Sequence, residues 1–552
     1  MKKLLGFALV MALTGCASLP MAGPVRIGPD LVPTADGESV YYSPSSPAEG
    51  ATQAEILSGF IAAGTGPQND YAVAREYLSE SIRSVWNPNQ EVLIQRSSPE
   101  VNISNQDTAE LEVDVSAVVD ADGKYQITPS GTSRVLEFSF VLENSEWRLS
   151  AAPDATVLIR PVFDVVFSPY SVFFVDRQKR FLVPELRWFP TTAATGTRLA
   201  NALLRGASSW LKPAVVSAIP TGTRLSIDAV TVEDGVALVD LTARALVASR
   251  ADRSLIKAQL EATLSQLPNV SEVAISIERS RQDIQDTSAD SRTLPARILG
   301  VLSENGLESI SASEEPFFQS GQDFFDLNDI SEIALSSQSG WVAALTDNGV
   351  IRTRGERLGL DVELIDSRSA ISGIGFDLQE YLWSVSRTPG SSIIVTSASG
   401  EPSIVSAPWL AGRSIRGLAL SPEGSRVALL VQGSGQAELL VSGVVRNASG
   451  SPIELAEPIQ LANEQANPIS VSWVDLLTIA TVNNEGGSNT ALLSTIGGTS
   501  RTIPALARTR TIVAAGAGSQ LYLLTETGEL FSYRGSTWSP LREAIRAVSV
   551  FN

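Results

Sequence analysis

The order of apolar and polar residues divides this chain into stretches of different period. Ile56, Leu57, Phe60 and Ile61 fall at helical spacing, and Gly64-Thr65-Gly66-Pro67 stops that helix. Val73, Tyr77, Leu78 and Ile82 predict a second helix, after Asn69-Asp70 and ending before Asn87-Pro88. Alternation then predicts strands over Leu111 to Val119, Val135 to Leu142 and Trp147 to Ser150, with a turn at Asp120-Ala121-Asp122-Gly123. Two helices and a meander able to wrap them make a small α+β unit over 51–160, with Trp147 in its core.

A second α+β unit follows over 161–283. Val172 to Val175 reads as a strand and Thr197 to Leu204 as a helix. Ile227 to Val232 and Val236 to Leu241 form a hairpin around Glu233-Asp234-Gly235, whose Asp-Gly suits a type I′ turn. Asp252 to Leu267 is helical, with Ile256, Leu260, Leu264 and Leu267 on one face. Pro268-Asn269 ends it, and Val270 to Ile277 is a strand. The polar tract Glu278 to Ser291 reads as a hinge, placed at 284–294.

From 295 to 552 the helical period disappears. Short strands recur in a loose repeat whose copies start at Ile333, Ile374, Leu418, Val471 and Val513, spaced by 41, 44, 53 and 42 residues. Each copy is followed by a turn and a second strand, and Gly417-Leu418-Ala419-Leu420-Ser421-Pro422-Glu423-Gly424 is the cleanest. A unit of about 40–50 residues with four short strands is a propeller blade, and the flanks leave room for a sixth blade or more. A tandem of β-sandwiches is the alternative. The fold class expected is multidomain: two N-terminal α+β domains, then an all-β propeller.

Composition adds a compartment. Met1-Lys2-Lys3, the apolar run Leu4 to Leu13, and Leu13-Thr14-Gly15-Cys16 make a secretory signal over 1–15. The run is shorter than the about 20 residues a membrane span needs. Cys16 is the only cysteine, and Leu-Thr-Gly-Cys fits the bacterial lipobox. Cleavage after Gly15 would leave Cys16 as an S-diacylglyceryl, N-acyl cysteine, tethering the chain to the outer side of the cytoplasmic membrane. Residues 16–50, rich in Pro, Gly and Ser, read as a lipidated cysteine and flexible stalk. Loss of Lys2 and Lys3 takes the formal charge from −19 to −21, a field that repels nucleic acid.

The chain has no histidine, so no Ser-His-Asp triad, Cys-His pair or His-ligated metal site can be built. Ser254-Leu255-Ile256-Lys257 matches Ser-x-x-Lys, but no Lys-Thr-Gly strand accompanies it. Asp120-Ala121-Asp122-Gly123 and Asp326-Leu327-Asn328-Asp329 offer oxygens to Ca²⁺, yet neither continues to a glutamate at the twelfth position, and Asp-Gly is first a hairpin turn. No catalytic residue, cofactor site or metal site is expected. Trp341, Trp383, Trp409, Trp473 and Trp538 are expected in blade cores rather than on a sugar-binding face.

Glu146-Trp147-Arg148-Leu149-Ser150-Ala151-Ala152-Pro153-Asp154 resembles the closing strand of nuclear-transport-factor-2-like domains. Val232 to Leu241 and the helix after it resemble the GerMN domain of sporulation and germination proteins, and Gly417 to Gly424 resembles the LpqB propeller. With the lipobox and this order of modules, the chain resembles the actinobacterial lipoprotein LpqB family. The resemblance implies a non-enzymatic accessory lipoprotein that binds the extracytoplasmic part of an MtrB-like sensor kinase and tunes its two-component system in envelope and cell-division homeostasis. Only the lipidated Cys16 transfers residue by residue. An envelope carbohydrate-binding or carbohydrate-processing lipoprotein, with its ligand on the propeller face, is the alternative.

Overall fold

The structure, a computed structural model, describes residues 44–97, 100–103, 107–285, 294–310, 329–336, 338–355, 361–461, 467–485, 488–516 and 520–551. The expected signal, Cys16 and the expected stalk up to residue 43 lie outside the described residues, as do Asp326, Leu327 and Asn328 and most of the expected hinge. Tyr42 to Asn552 form one compact unit.

Helix α1, Gln53–Ala63, starts at a capping box in which Thr52 and Glu55 each satisfy the other's backbone N–H, and it ends at Gly64. The expected second helix is two short ones, α2 (Ala72–Glu76) and α3 (Glu80–Arg83). The break has a backbone cause. Leu149 donates to the Tyr77 carbonyl and accepts from Ser79 N, at 2.9 and 2.8 Å, so the residues between the helices serve as an edge against the sheet.

That sheet comprises β1 (Glu91–Gln95), β2 (Glu100–Ile103), β3 (Thr108–Asp120), β4 (Tyr125–Ile127), β5 (Ser133–Glu143), β6 (Glu146–Ala151) and β7 (Thr156–Ile159). Its main path runs β6-β5-β3-β1-β7, with β2 and β4 also on β3. Ile56, Leu57 and Phe60 of α1 pack on Leu111, Val113, Phe138 and Leu149. Trp147 is only partly buried and packs on the margin of this core. Strand β1 is apolar on both sides: Leu93 faces the α1 cluster, while Val92 and Ile94 face the next unit.

In the middle unit, α4 (Arg160–Val166) leads into a long hairpin, β8 (Phe167–Asp176) with β9 (Leu182–Pro190). After α5 (Thr195–Arg205), the short β10 (Val215–Val216) pairs with β8. A second sheet holds β11 (Thr231–Glu233), β12 (Val236–Leu241), β13 (Glu272–Ile277) and β14 (Ser280–Arg281). The β11–β12 hairpin turns at Asp234-Gly235, as expected, although its first strand is shorter. Parallel β12 and β13 are joined through α6 (Arg250–Leu264), which Ser249 caps by accepting from Asp252 N.

Six antiparallel sheets follow among the described residues. In sheets two to six the strand nearest the axis is the first of its sheet: Ile330–Leu335, Ile371–Phe376, Ser414–Leu420, Pro468–Trp473 and Thr509–Ala515. These carry all five copies of the sequence repeat. In sheet one the axial strand is the last of the chain, Ile545–Val550, which pairs with Leu299–Ser303. The six axial strands touch in succession around a ring, Ile545–Val550 lying between Thr509–Ala515 and Ile330–Leu335. This is a propeller of six blades whose ring is closed by both ends of the domain. The 53-residue spacing arises in blade four, where the strand Ala437–Arg446 pairs with both Pro452–Leu455 and Ile459–Gln460.

Candidate partner-binding platform

The middle unit and the propeller share one apolar core. Val175, Val183, Leu203, Leu211 and Val215 belong to the same buried cluster as Ala428, Leu430 and Val441 of blade four and Trp473, Ile479 and Ile496 of blade five. A second cluster joins Val92, Ile94 and Val119 of the first unit to Phe163, Leu186 and Trp188, with Leu477 of blade five at its edge. Apolar burial contributes about 25 cal/mol per Å², so a continuous core of this kind holds the three units as one body.

Two buried charge pairs and an indole hydrogen bond fix the junction. Arg187 and Glu185 pair at 2.9 Å with side chains 2% and 5% exposed. Glu185 also accepts from Ser208 N, and Arg187 donates to the Ser208 hydroxyl. In blade four, Arg426 and Glu423 pair at 2.7 Å with both side chains fully buried. The Arg426 guanidinium lies 5.0 Å from the Trp473 ring centroid and donates to the Pro184 carbonyl of the middle unit at 3.4 Å. Around the same junction, Trp188 donates its indole N–H to Gly497 in blade five. Every one of these propeller groups sits where the axial strands end, so the middle unit covers that end of blades four and five.

The residues singled out in the sequence are placed as follows. Ser421-Pro422-Glu423-Gly424 is a turn, closed by Gly424 N on the Ser421 carbonyl with Gly424 at φ +72°, and it is buried, with Gly424 against Leu378 and Gln379 of blade three. Asp120-Ala121-Asp122-Gly123 is also a turn. Asp120 accepts from the N–H groups of Asp122 and Lys124, and Asp122 pairs with Lys124 and Arg205, so these carboxylates are occupied by the chain itself. Gly123, at φ +77°, meets Trp188 so closely that a Cβ there would lie 2.9 Å from the Trp188 carbonyl. Ser254 and Lys257 sit partly buried on α6, with Lys257 paired to Glu261 at 3.5 Å. Among the described residues no group of three His, Cys, Asp or Glu is placed to hold a metal ion.

The tryptophans are held in the blades. Trp341, Trp383 and Trp473 are buried, and Trp383 and Trp473 donate to Asp377 and to the Ala419 carbonyl. Trp409 and Trp538 are partly buried, with their N–H groups on Leu455 and Pro504 carbonyls. The two buried Arg–Glu pairs were missed in the sequence. Glu185 and Arg187 stand two apart on one strand and so share a side, but their burial needs a second domain on top.

The fold and this junction define a class: a three-module protein in which a propeller is fused rigidly to two small α+β units. Comparison with known proteins gives the family. Residues 46–164 match the model of the lipoprotein LpqB N-terminal domain, 171–283 match the sporulation and spore germination (Germane) model, and 322–548 match the lipoprotein LpqB β-propeller domain. A Lipoprotein LpqB of Bifidobacterium longum is 28% identical over 463 residues, covering 80% of this chain and 78% of that one. Another, of Thermobifida fusca, is 24% identical and covers 92% of each. The chain belongs to the LpqB lipoprotein family. Among solved structures, TolB of Acinetobacter baumannii aligns at 13% identity with a TM-score of 0.35, over 47% of this chain and 68% of that one. A chain of a nidogen–laminin complex gives 12% and 0.35, over 46% and 98%. No helix among the described residues is long and apolar enough to cross a membrane.

Proposed function

We propose that this protein is a non-enzymatic accessory lipoprotein, anchored through Cys16 to the outer side of the cytoplasmic membrane, whose rigid body binds and modulates an MtrB-like sensor kinase. The domain division proposed is 51–160, 161–283 and 295–552, following a signal at 1–15 and a tethered segment at 16–50. The observation that carries the reading is the shared core of the middle unit and the propeller, which lets two modules present one fixed surface to a partner. Anchoring both proteins in one membrane raises their effective concentration, so a weak contact suffices. The formal charge of −19 favours a partner with a basic patch and binding that weakens with salt.

The carbohydrate alternative needs exposed indoles beside carboxylates, and the five propeller tryptophans considered for it are buried or partly buried, four with the N–H on a protein acceptor. The test is crosslinked copurification from intact membranes, with kinase output compared in cells carrying the parent, the Cys16→Ala form and no copy. The parent is expected to capture the kinase and the other two to share an altered output. Equal output from all three, with no kinase captured, overturns the proposal.

A further inference from the structure

The channel along the propeller axis has two unlike ends. At the end covered by the middle unit, Arg297 donates to the Trp473 and Val474 carbonyls, and burial pulls it down to about 10. At the other end every axial strand carries an irregularity at the same place. The pairing register shifts around Ser331, Ser372, Arg416, Ile469, Arg510 and Arg546. A bulge turns a side chain out of the ladder, and bulges concentrate beside functional sites. Here the register shift recurs six times in a ring.

Arginine dominates that mouth. Arg416 of blade four and Arg510 of blade six occupy bulge positions, and Arg387 follows the second strand of blade three. All three line one cavity of about 510 Å³. The guanidiniums of Arg387 and Arg416 have no hydrogen bond or ion pair among the described residues, whereas Arg368 and Arg413 beside them are paired with Asp366 and Glu438. Arg510 donates to the Arg546 carbonyl, which spends one of its donors. Arg387 and Arg510 share the single Glu332 carboxyl lining this cavity, which leaves the three arginines with an excess of positive charge in a strongly acidic protein.

The channel wall below the mouth gives room. After the bulges the channel-lining positions include Glu332, Gly417, Ser470, Thr511 and Ala547, then small residues again at Ala334, Gly375, Ala419 and Ser472. Ser470 and Ser472 accept from Ile512 N and Ala514 N of the next blade, so the walls are fixed by their own hydrogen bonds. Glu332 is the one carboxylate lining this cavity. It accepts weakly from Ile374 N at 3.4 Å, and burial pushes it up to about 7 despite Arg387 and Arg510 nearby. A carboxyl that protonates near neutrality can donate to an oxyanion instead of repelling it.

We propose that this mouth is a binding site for a small anion carrying two or more carboxylate or phosphate groups, held by Arg387, Arg416 and Arg510. Guanidinium forks match carboxylate and phosphate oxygens in pairs, and a cavity of this size admits a small multivalent anion rather than a folded partner. The site lies on the propeller end that the middle unit leaves uncovered, so ligand and platform are available together.

Isothermal titration of the full chain with citrate, inorganic pyrophosphate and glucose tests the proposal at about 0.15 M salt. At least one of the two anions is expected to bind at a single site, and which one binds tells carboxylate from phosphate chemistry. Arg416→Ala and Arg510→Ala, both at exposed positions, are each expected to weaken that binding tenfold or more without moving the melting temperature. Arg501→Ala, an exposed arginine on the outer strand of blade five, is expected to leave it unchanged. Absence of binding by both anions, equal binding of glucose, or an equal loss in Arg501→Ala overturns the proposal.

Discussion

The indole N–H of Trp188, in the middle unit, donates to the backbone carbonyl of Gly497, in blade five, at 2.9 Å. The Trp188 ring lies 5.0 Å from Phe163 and 5.7 Å from Tyr125, so one side chain ties together all three modules. Trp188→Phe should lose mainly the hydrogen bond, about 1 kcal/mol. Trp188→Ala should lose about 3–5 kcal/mol through the cavity it leaves. Urea unfolding of the two variants separates these outcomes, and a small loss in both would mean that the junction packs loosely.

Glu423 and Arg426 are fully buried as a pair. Removing one partner leaves the other charge buried, so Glu423→Ala should cost about 3–5 kcal/mol, far above an ordinary surface change. Surface Glu454→Ala, on an outer strand, should change stability by less than about 0.5 kcal/mol. Denaturant midpoints measured side by side check the contrast.

Glu332 gives a pH dependence of known sign. Its carboxyl is raised from 4.5 to about 7, so between those values the folded chain holds a proton that the unfolded chain has lost. Stability therefore falls as pH rises from about 4.5 to 7 and levels off above. Glu332→Gln keeps the acceptor for Ile374 N without the charge, and should be more stable than the parent by up to about 3 kcal/mol at pH 8, the full worth of that shift. The difference should vanish near pH 4.5, which thermal melts across that range will show.

Removing residues 295–552 is expected to leave an aggregating fragment rather than a stable two-domain stub. The deletion strips Ala428, Leu430, Val441, Trp473 and Ile479 from a core whose other half, including Val183 and Leu211, would face water. Size-exclusion chromatography of residues 51–283 checks this, and a soluble monomer with native-like melting would show that the shared core is dispensable.

Cys16→Ala should move the protein from the membrane fraction to the soluble or stalled-precursor fraction. Fractionation with an antibody against the propeller measures it, and a processed mutant still bound as firmly as the parent would require another anchor.

Helices α1, α5 and α6 were legible because each has an amphipathic face and a local start or stop, as with Thr52 and Glu55 or Ser249 and Asp252. The β11–β12 hairpin was legible because Asp234-Gly235 supplies the left-handed turn. The split between α2 and α3 was not, since a distant strand at Leu149 captures the backbone groups that a continuous helix would have used. Strand β1 escaped notice for a similar reason: Val92-Leu93-Ile94 is buried on both sides and shows no alternation.

The sequence alone carried the module order and the five repeat copies, because periodicity and turn residues act over short stretches of chain. It also determined what chemistry is closed, since a chain without histidine has none to place. Tertiary structure alone decided that blade one is completed by Ile545–Val550, that Glu185, Arg187, Glu423 and Arg426 are buried, and that Arg387, Arg416 and Arg510 meet at one channel mouth. Each of these joins residues tens to hundreds of positions apart. No local pattern encodes such meetings, which exist only once the ring has closed and the middle unit has covered one end of it.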